Sequence, residues 1–112
     1  ILTAIAVPSY RQYVIRVNRT DAKTQLTSIA QRLERCFTRT NVYNNAACTV
    51  TGLPIITPHN TYSVNAVINA NNYVITATPI NGQVDDTQCG RFTLNQLGVQ
   101  GVSGTNTVAQ CW

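Results

Sequence analysis

The sequence predicts an α+β fold in which one long N-terminal helix packs on a small antiparallel sheet, and three observations indicate it. The first third of the 112 residues, up to about Arg39, contains no glycine and a single proline, Pro8. Short β-branched and aromatic runs separated by turn residues follow in the middle of the chain. Four cysteines flank the two stretches with the weakest regular patterns. This order is typical of a one-domain α+β roll spanning residues 1–112: a helix comes first, strands follow, and a disulfide-bounded C-terminal region comes last.

The predicted helix, residues 1–39, carries two apolar faces at different heights. Residues 1–7 are uncharged and mostly apolar on all sides, as in helices inside membranes or assemblies. From Ile15 onward, apolar residues recur at spacings of three, four and seven, which places them on one face. This face comprises Ile15, Ala22, Leu26, Ile29, Leu33, Cys36 and Phe37. A different face comprises Tyr10, Tyr13, Val14 and Val17. We therefore expect the lower half of the helix to contact other molecules and the upper half to contact its own domain.

Pro8 lies inside the helical pattern and permits two interpretations. It removes a backbone donor and clashes one turn back, which predicts a kink or a locally melted turn. Alternatively, the helix begins at Pro8, where proline is tolerated in the first turn. The apolar start is shorter than the roughly 20 residues that cross a bilayer, and no basic region or cleavage site precedes it. We expect the chain to begin partway through a longer apolar segment.

The basic residues are concentrated in the predicted helix, and the formal net charge is +4. Asp21 and Glu34 have no basic residue at helical contact spacing, so intrahelical ion pairs do not consume the arginines. The basic side chains can line a solvated flank, or they can meet acidic neighbours, acidic lipid or nucleic-acid phosphate. The helical ones are Arg11, Arg16, Arg19, Lys23, Arg32, Arg35 and Arg39, and Arg91 is the eighth.

The cysteines indicate an oxidising compartment and two disulfides, because no Cys-x-x-Cys motif is present. Four cysteines permit three pairings. We predict the sequential one, Cys36–Cys48 and Cys89–Cys111, because it closes two short loops that lack regular structure. The first disulfide would hold the loop of residues 40–61. It would add roughly 3 kcal/mol to the free energy of unfolding under the chain-entropy model. The second would bound a C-terminal region of residues 89–112.

The sheet is predicted within residues 62–97. The runs at 62–68 and 73–78 alternate apolar and polar residues, and the connection 69–72 suits a hairpin. A third alternating run lies at 90–95, while 84–88 is predicted to be a turn or loop. One helix face on three or four strands makes a thin core, which explains the need for disulfides.

The sequence offers little material for catalysis, so we do not expect an enzyme, a cofactor or a metal site. His59 is the only histidine and lies between Pro58 and Asn60 in an exposed loop composition. The adjacent acids Asp85 and Asp86 lack the surrounding oxygen ligands of a calcium site. No nucleophile motif, zinc spacing or phosphate-binding glycine loop is present, and no small-molecule substrate is expected.

The run Ala4-Ile5-Ala6-Val7-Pro8-Ser9-Tyr10, followed by Tyr13-Val14, resembles the N-terminal helix of type IV pilins. The two cysteine pairs, and the ending Cys89-Gly90 to Cys111-Trp112, look like those of PilE-type minor pilins. The resemblance implies a type IV pilin roll and a structural subunit, a minor pilin, of a bacterial type IV pilus. Such a subunit serves pilus assembly and pilus-dependent motility, adhesion or DNA uptake. The prepilin cleavage site and the acidic residue near the mature N-terminus are missing from this sequence.

The resemblance also implies partners and location. Other pilin subunits would contact the N-terminal helix, at the expected kink and assembly residues Pro8, Tyr10, Tyr13, Val14 and Val17. The chain would lie in the inner membrane before assembly and in the extracellular pilus afterwards. One alternative is a DNA-binding pilin for transformation. Another is a type II secretion pseudopilin, against which the two disulfides and the missing acidic calcium cluster argue. The candidate contacts for DNA or an acidic partner are Arg16, Arg19, Lys23, Arg32, Arg35, Arg39 and Arg91.

Overall fold

The computed structural model describes residues 2–48, 50 and 52–112, with side chains from residue 10 onward. Helix α1 is followed by five strands and a short C-terminal helix. A 3₁₀ turn precedes β1 at Ala46–Cys48, and another follows β3 at Asn81–Asp85. The elements are α1 Leu2–Thr40, β1 Ile55–Ile56, β2 Tyr62–Ile68, β3 Tyr73–Pro79, β4 Phe92–Asn95, β5 Gln100–Val102 and α2 Val108–Cys111.

The strands form one antiparallel sheet in the order β1-β2-β3-β4-β5. Strands β2 and β3 pair along their full length, from Tyr62 opposite Pro79 to Ile68 opposite Tyr73. The α+β architecture predicted from the sequence is confirmed. The structure adds β1 and β5, and it places a 3₁₀ turn over part of the predicted 84–88 loop. Strands of two and three residues are too short to show the alternation that identifies a strand.

Local side-chain chemistry ends α1 and turns the β2–β3 hairpin. Asn41 adopts a positive φ of 62°, and its N–H donates to the Phe37 carbonyl at 2.8 Å, a left-handed helix C-cap. In the hairpin, the Asn69 N–H donates to the Asn72 carbonyl at 2.8 Å, and their side-chain amides bond at 2.7 Å. The asparagines between the two runs therefore close the turn by direct hydrogen bonds.

The core lies between the upper face of α1 and the inner face of the sheet. The predicted helix face is buried from Ile15 through Cys36, and Phe37 is half-buried. Removing this apolar surface from water is the main contribution to stability, at about 25 cal/mol per Å². The principal side chains packed against α1 are Tyr62, Val64, Tyr73, Ile75, Ala77 and Phe92.

The structure contains two disulfides at the edges of the core, and they follow the predicted sequential pairing. Cys36 at the end of α1 bonds Cys48, and Cys89 bonds Cys111, with Cα–Cα distances of 5.7 Å and 5.8 Å. The second disulfide holds the C-terminal segment on the sheet, where Trp112 meets Phe92 edge-on with ring centroids 5.6 Å apart.

The helix begins at Leu2, so it does not start at Pro8. The predicted kink at Pro8 falls among residues 2–9, whose side chains lie outside the described part of the chain. Of the helices that the structure describes, none combines the length and apolarity needed to cross a bilayer.

The structure places Arg19, one of the predicted contacts for DNA or an acidic partner, against an acidic residue of its own chain. Arg19 is buried, and its guanidinium forms a bidentate pair with Asp86, at 2.7 Å from Nε to Oδ2 and 2.8 Å from Nη2 to Oδ1. The hydrogen bond to Asp86 raises the pKa of Arg19, although burial opposes this. Asp86 lies 67 residues away in sequence, so helical spacing gave no sign of the pair.

Gln83 extends this polar contact into the core. Its Nε2 donates to the Ile15 carbonyl and to the Tyr62 hydroxyl, both at 3.0 Å. Burial raises the pKa of Tyr62 to about 12. The segment after β3 is therefore held against α1 by hydrogen bonds as well as by the Arg19–Asp86 pair.

We expect Asp86→Asn to lower the free energy of unfolding by about 3–5 kcal/mol, because it leaves the buried Arg19 guanidinium without a counter-charge. The matched control is Asp85→Asn, which breaks the exposed pair with Arg11 and should cost less than about 1 kcal/mol. Urea unfolding followed by circular dichroism measures both values. Equal costs for the two variants would contradict the assignment of Asp86 as the structural partner.

We expect alkaline pH to destabilise the fold through Tyr62. Its folded pKa of about 12 lies above the ordinary value of 10.0, so its contribution is complete below pH 10 and is lost as pH rises towards 12. A difference of that size corresponds to about 3 kcal/mol. Unfolding free energies measured across this range should fall less steeply for Tyr62→Phe than for the unchanged chain. Identical pH profiles would exclude Tyr62 as a source of the loss.

Candidate functional site

Each of the four acidic side chains has a partner in the tertiary structure. Asp21 accepts hydrogen bonds from the Thr61 hydroxyl and bonds His59 Nδ1, both at 3.0 Å. Glu34 accepts from two tyrosine hydroxyls, and the adjacent acids Asp85 and Asp86 bind Arg11 and Arg19. Several basic residues are therefore left without acidic partners. Among the described residues, no ion pair forms at Arg16, Arg32, Arg35, Arg39 or Arg91.

Three of these arginines share one groove at the upper end of α1. Arg32, Arg35 and Arg39 are exposed and follow the spacing i, i+3, i+7, which aligns them along one flank over roughly 10 Å. Together with Ala47 and Cys48 they line a shallow groove of about 340 Å³, called the arginine groove below. It presents three positive charges with no carboxylate of the described residues paired to them.

The loop after α1 forms the other wall of the groove. Cys36 faces the core, and its disulfide brings Cys48 back beside the arginines. Within the loop, the Cys48 N–H donates to the Asn45 carbonyl at 3.1 Å, and the Ala47 N–H donates to Asn45 Oδ1 at 2.8 Å. The disulfide and this turn together position the wall of the groove.

Glu34 lies within the arginine-rich part of α1 but is bonded elsewhere. Its Oε1 accepts hydrogen bonds from the Tyr43 and Tyr73 hydroxyls, at 3.1 Å and 3.2 Å. Burial, followed by the bond to Glu34, raises the pKa of Tyr43, and burial and the Glu34 charge raise that of Tyr73. The carboxylate is thus held against the aromatic side chains, and Phe37 stacks on Tyr43 with centroids 4.6 Å apart.

The remaining predicted contacts lie apart from the groove. Arg16 is exposed on roughly the opposite side of α1, taking about 100° per residue. Lys23 is half-buried, and its Nζ donates to the Trp112 carbonyl oxygen at 3.3 Å. Burial lowers the pKa of Lys23, and the Arg19 charge lowers it further. Arg91 is exposed just before β4, and its backbone N–H donates to Ser103 Oγ at 2.8 Å.

The predicted assembly face on the lower part of α1 is open to solvent. Tyr10, Tyr13 and Val17 are 68%, 59% and 49% exposed, and Val14 is half-buried. Pro8, the fifth predicted assembly residue, lies among the undescribed side chains. Exposed tyrosines beside valine form an amphipathic surface of the kind found at protein interfaces.

The sequence did not reveal which distant residues the acidic side chains pair with. His59 is exposed, as expected of a loop residue, yet it binds Asp21 across 38 residues. Asp86 lies in the segment predicted to be a turn or loop, yet it is buried against Arg19. No local spacing signals these long-range pairs. Within the described part of the chain, no group of three or more potential ligands could hold a metal ion.

A long helix with an exposed apolar lower face, an antiparallel sheet and a disulfide-bounded C-terminal region together define a type IV pilin. The family model for the type IV minor pilin ComP, DNA uptake sequence receptor, matches residues 8–93, and the chain belongs to that family. It is therefore a structural subunit of a type IV pilus, of the minor pilin class, and associates with other pilins.

Solved structures agree with this membership. A type IV pilin from Shewanella oneidensis is 30% identical over 88% of this chain and 97% of that chain, with a TM-score of 0.62. The non-core minor pilin PilV of Neisseria meningitidis is 21% identical over 85% of this chain and 92% of that chain, with a TM-score of 0.60, a similarity of fold. None of the curated proteins compared with the chain matches it.

Proposed function

We propose that this minor pilin binds DNA, and that the arginine groove supplies the main phosphate contacts. The observation that carries this proposal is the alignment of Arg32, Arg35 and Arg39 in one exposed groove without acidic partners among the described residues. Family membership supports it, because the family is described as a DNA uptake sequence receptor.

The spacing of the three arginines suits a phosphate backbone. Seven residues of α-helix separate Arg32 from Arg39, a rise of roughly 10 Å. One DNA strand carries a phosphate about every 3.4 Å along the duplex axis, so the stripe spans about three phosphates. Guanidinium groups bind phosphate oxygens with two parallel hydrogen bonds, which strengthens each contact.

The Cys36–Cys48 disulfide limits how far the loop wall can move from the arginines. Phosphate contacts fix the position of a duplex but carry no sequence information. Any reading of bases would therefore fall to other side chains, and the exposed loop residue Asn44 has the amide chemistry that pairs with adenine.

We expect the triple variant R32Q/R35Q/R39Q to lose most of its affinity for duplex DNA at low salt. Three lost phosphate contacts reduce the slope of log K against log salt by about 2.7. The unchanged chain should bind about 40-fold more weakly through this groove at about 200 mM salt than at about 50 mM. Fluorescence anisotropy with a labelled duplex measures both quantities.

The matched control is R11Q/R16Q/R91Q, which removes three exposed arginines outside the groove and changes the net charge equally. This control variant should retain most of the slope of log K against log salt. If it loses as much slope as the groove variant, binding depends on net charge and the groove has no special role. Absence of binding by the unchanged chain at about 50 mM salt would remove the proposal altogether.

We also propose that Tyr10, Tyr13, Val14 and Val17 form the contact with neighbouring pilins. Their exposure supports this, because large apolar side chains gathered on one helix face otherwise remain in water. Arg16 on the same part of α1 is exposed and pairs with no carboxylate of the described residues, which suggests that the neighbouring subunit supplies an acidic group.

We expect Y10A/Y13A to reduce incorporation into pili at least tenfold, since removing a central aromatic contact costs about 2 kcal/mol or more. Immunoblots of sheared pili, normalised to cellular amounts, measure incorporation. V67A/V74A, two exposed valines paired across the β2–β3 ladder, serves as the control and should assemble normally. Normal assembly of Y10A/Y13A would argue against this face.

The location follows the same proposal. The subunit would be held in the inner membrane before assembly and would then be carried in the extracellular pilus. The apolar character of residues 1–7 supports the membrane stage. Fractionation of cells producing the precursor, with and without the pilus assembly machinery, distinguishes the two stages.

A further inference from the structure

We propose that Cys48 is a site of thiol–disulfide exchange with small anionic thiols, which the arginine groove attracts. The proposal uses the same groove as the proposed function, but it does not require that DNA binds there. It assigns the Cys36–Cys48 disulfide a chemical role that the Cys89–Cys111 disulfide does not share.

The two disulfides differ in how a thiol can reach them. Cys89 and Cys111 are both buried, at 0% and 2% exposure, and Cys36 is also buried. Cys48 is half-buried and forms part of the wall of the arginine groove. A reagent that enters the groove therefore contacts the residue Cys48, whereas either partner of the other disulfide requires the core to open.

The charge at Cys48 favours an anionic attacker. Arg32, Arg35 and Arg39 line the same groove, and Glu34 is bonded to tyrosines away from it. Attack on a disulfide is carried out by the thiolate, so a nearby positive field raises the local concentration of the reactive form. A thiol bearing carboxylates gains further from the same field, and a thiol bearing an ammonium group is repelled.

The exchange proceeds in two steps that conserve atoms and electrons. The thiolate sulfur of the incoming thiol attacks Cys48 Sγ, and a mixed disulfide bond forms. The Cys36–Cys48 bond breaks, and Cys36 Sγ leaves with the electron pair and takes a proton from water. A second thiolate then attacks the sulfur of the first thiol, which releases a small-molecule disulfide and the Cys48 thiolate, and this thiolate takes a proton from water. Two thiols are oxidised and one protein disulfide is reduced.

Reaction at Cys48 would loosen the wall of the groove. The loop is anchored on either side by the buried side chains of Tyr43 and Val50, and the Cys36–Cys48 disulfide joins the part between them to α1. The turn bonds of Asn45 to Ala47 and Cys48 are local, so they can move with the loop. A bulky anionic group on Cys48 would also occupy the charges of the three arginines.

The experiment compares two probes, reduced glutathione as the anionic thiol and cysteamine as the cationic one, on the folded protein. Samples are quenched by alkylation, and mass spectrometry of peptides reports each cysteine separately. We expect Cys48 and Cys36 to react at least tenfold faster than Cys89 and Cys111, which serve as the internal control. Equal rates at the two disulfides would overturn the proposal.

The arginines are tested by the ratio of the glutathione rate to the cysteamine rate, which is compared between chains. Dividing this ratio for the unchanged chain by that for R32Q/R35Q/R39Q cancels the intrinsic reactivity of each thiol. We expect about a tenfold quotient at low ionic strength that falls towards one as salt screens the charges. R11Q/R16Q/R91Q should leave the ratio of the unchanged chain intact.

A quotient of one at low salt, or an equal loss in the control triple, would show that the groove does not select anionic thiols. No DNA is present in this measurement, so failure of the DNA-binding test leaves its outcome unaffected. Likewise, a negative result with the thiols leaves the DNA-binding proposal standing.

Discussion

The buried ion pair between Arg19 and Asp86 is the contact on which the arrangement of this pilin depends. It joins α1 to the segment that follows β3, one turn above Ile15, where the buried face of the helix begins. Above the pair, the helix packs on the sheet, whereas Tyr10, Tyr13 and Val17 below it are exposed. A buried pair adds little net stability against apolar replacements, but losing one partner is costly. Together with the Gln83 hydrogen bond to Ile15 one turn lower, the pair therefore holds the helix against its own domain.

A shortage of acidic residues determines the rest of the surface. Eight basic residues face four acids, and each acid is already bonded within the tertiary structure. The surplus positive charge has to lie at the surface, and one flank of α1 holds three arginines that pair with no described carboxylate. The lower helix face and the upper arginine groove are separated along α1, so contact with neighbouring pilins and contact with a polyanion need not compete.

The Cys36–Cys48 disulfide connects the structural and the proposed functional roles of the upper end of the helix. One sulfur belongs to the packed face of α1, and the other lies at the wall of the groove. The described part of the loop has little regular structure, so this bond and the buried side chains of Tyr43 and Val50 position it. By contrast, the Cys89–Cys111 disulfide lies inside the core, where it holds the C-terminal segment near Phe92.

The sequence by itself determined the long helix, its buried stripe from Ile15 to Cys36, the β2–β3 hairpin and the pilin class. These features depend on local periodicity and turn chemistry, which a linear pattern records directly. Only the tertiary structure decided which basic residues stay available. Arg19 and Arg32 look alike in sequence, yet Asp86, 67 positions beyond Arg19, neutralises one of them, and no described acid pairs with the other. Ion pairs between distant segments depend on how the chain folds back, so spacing along one helix cannot reveal them.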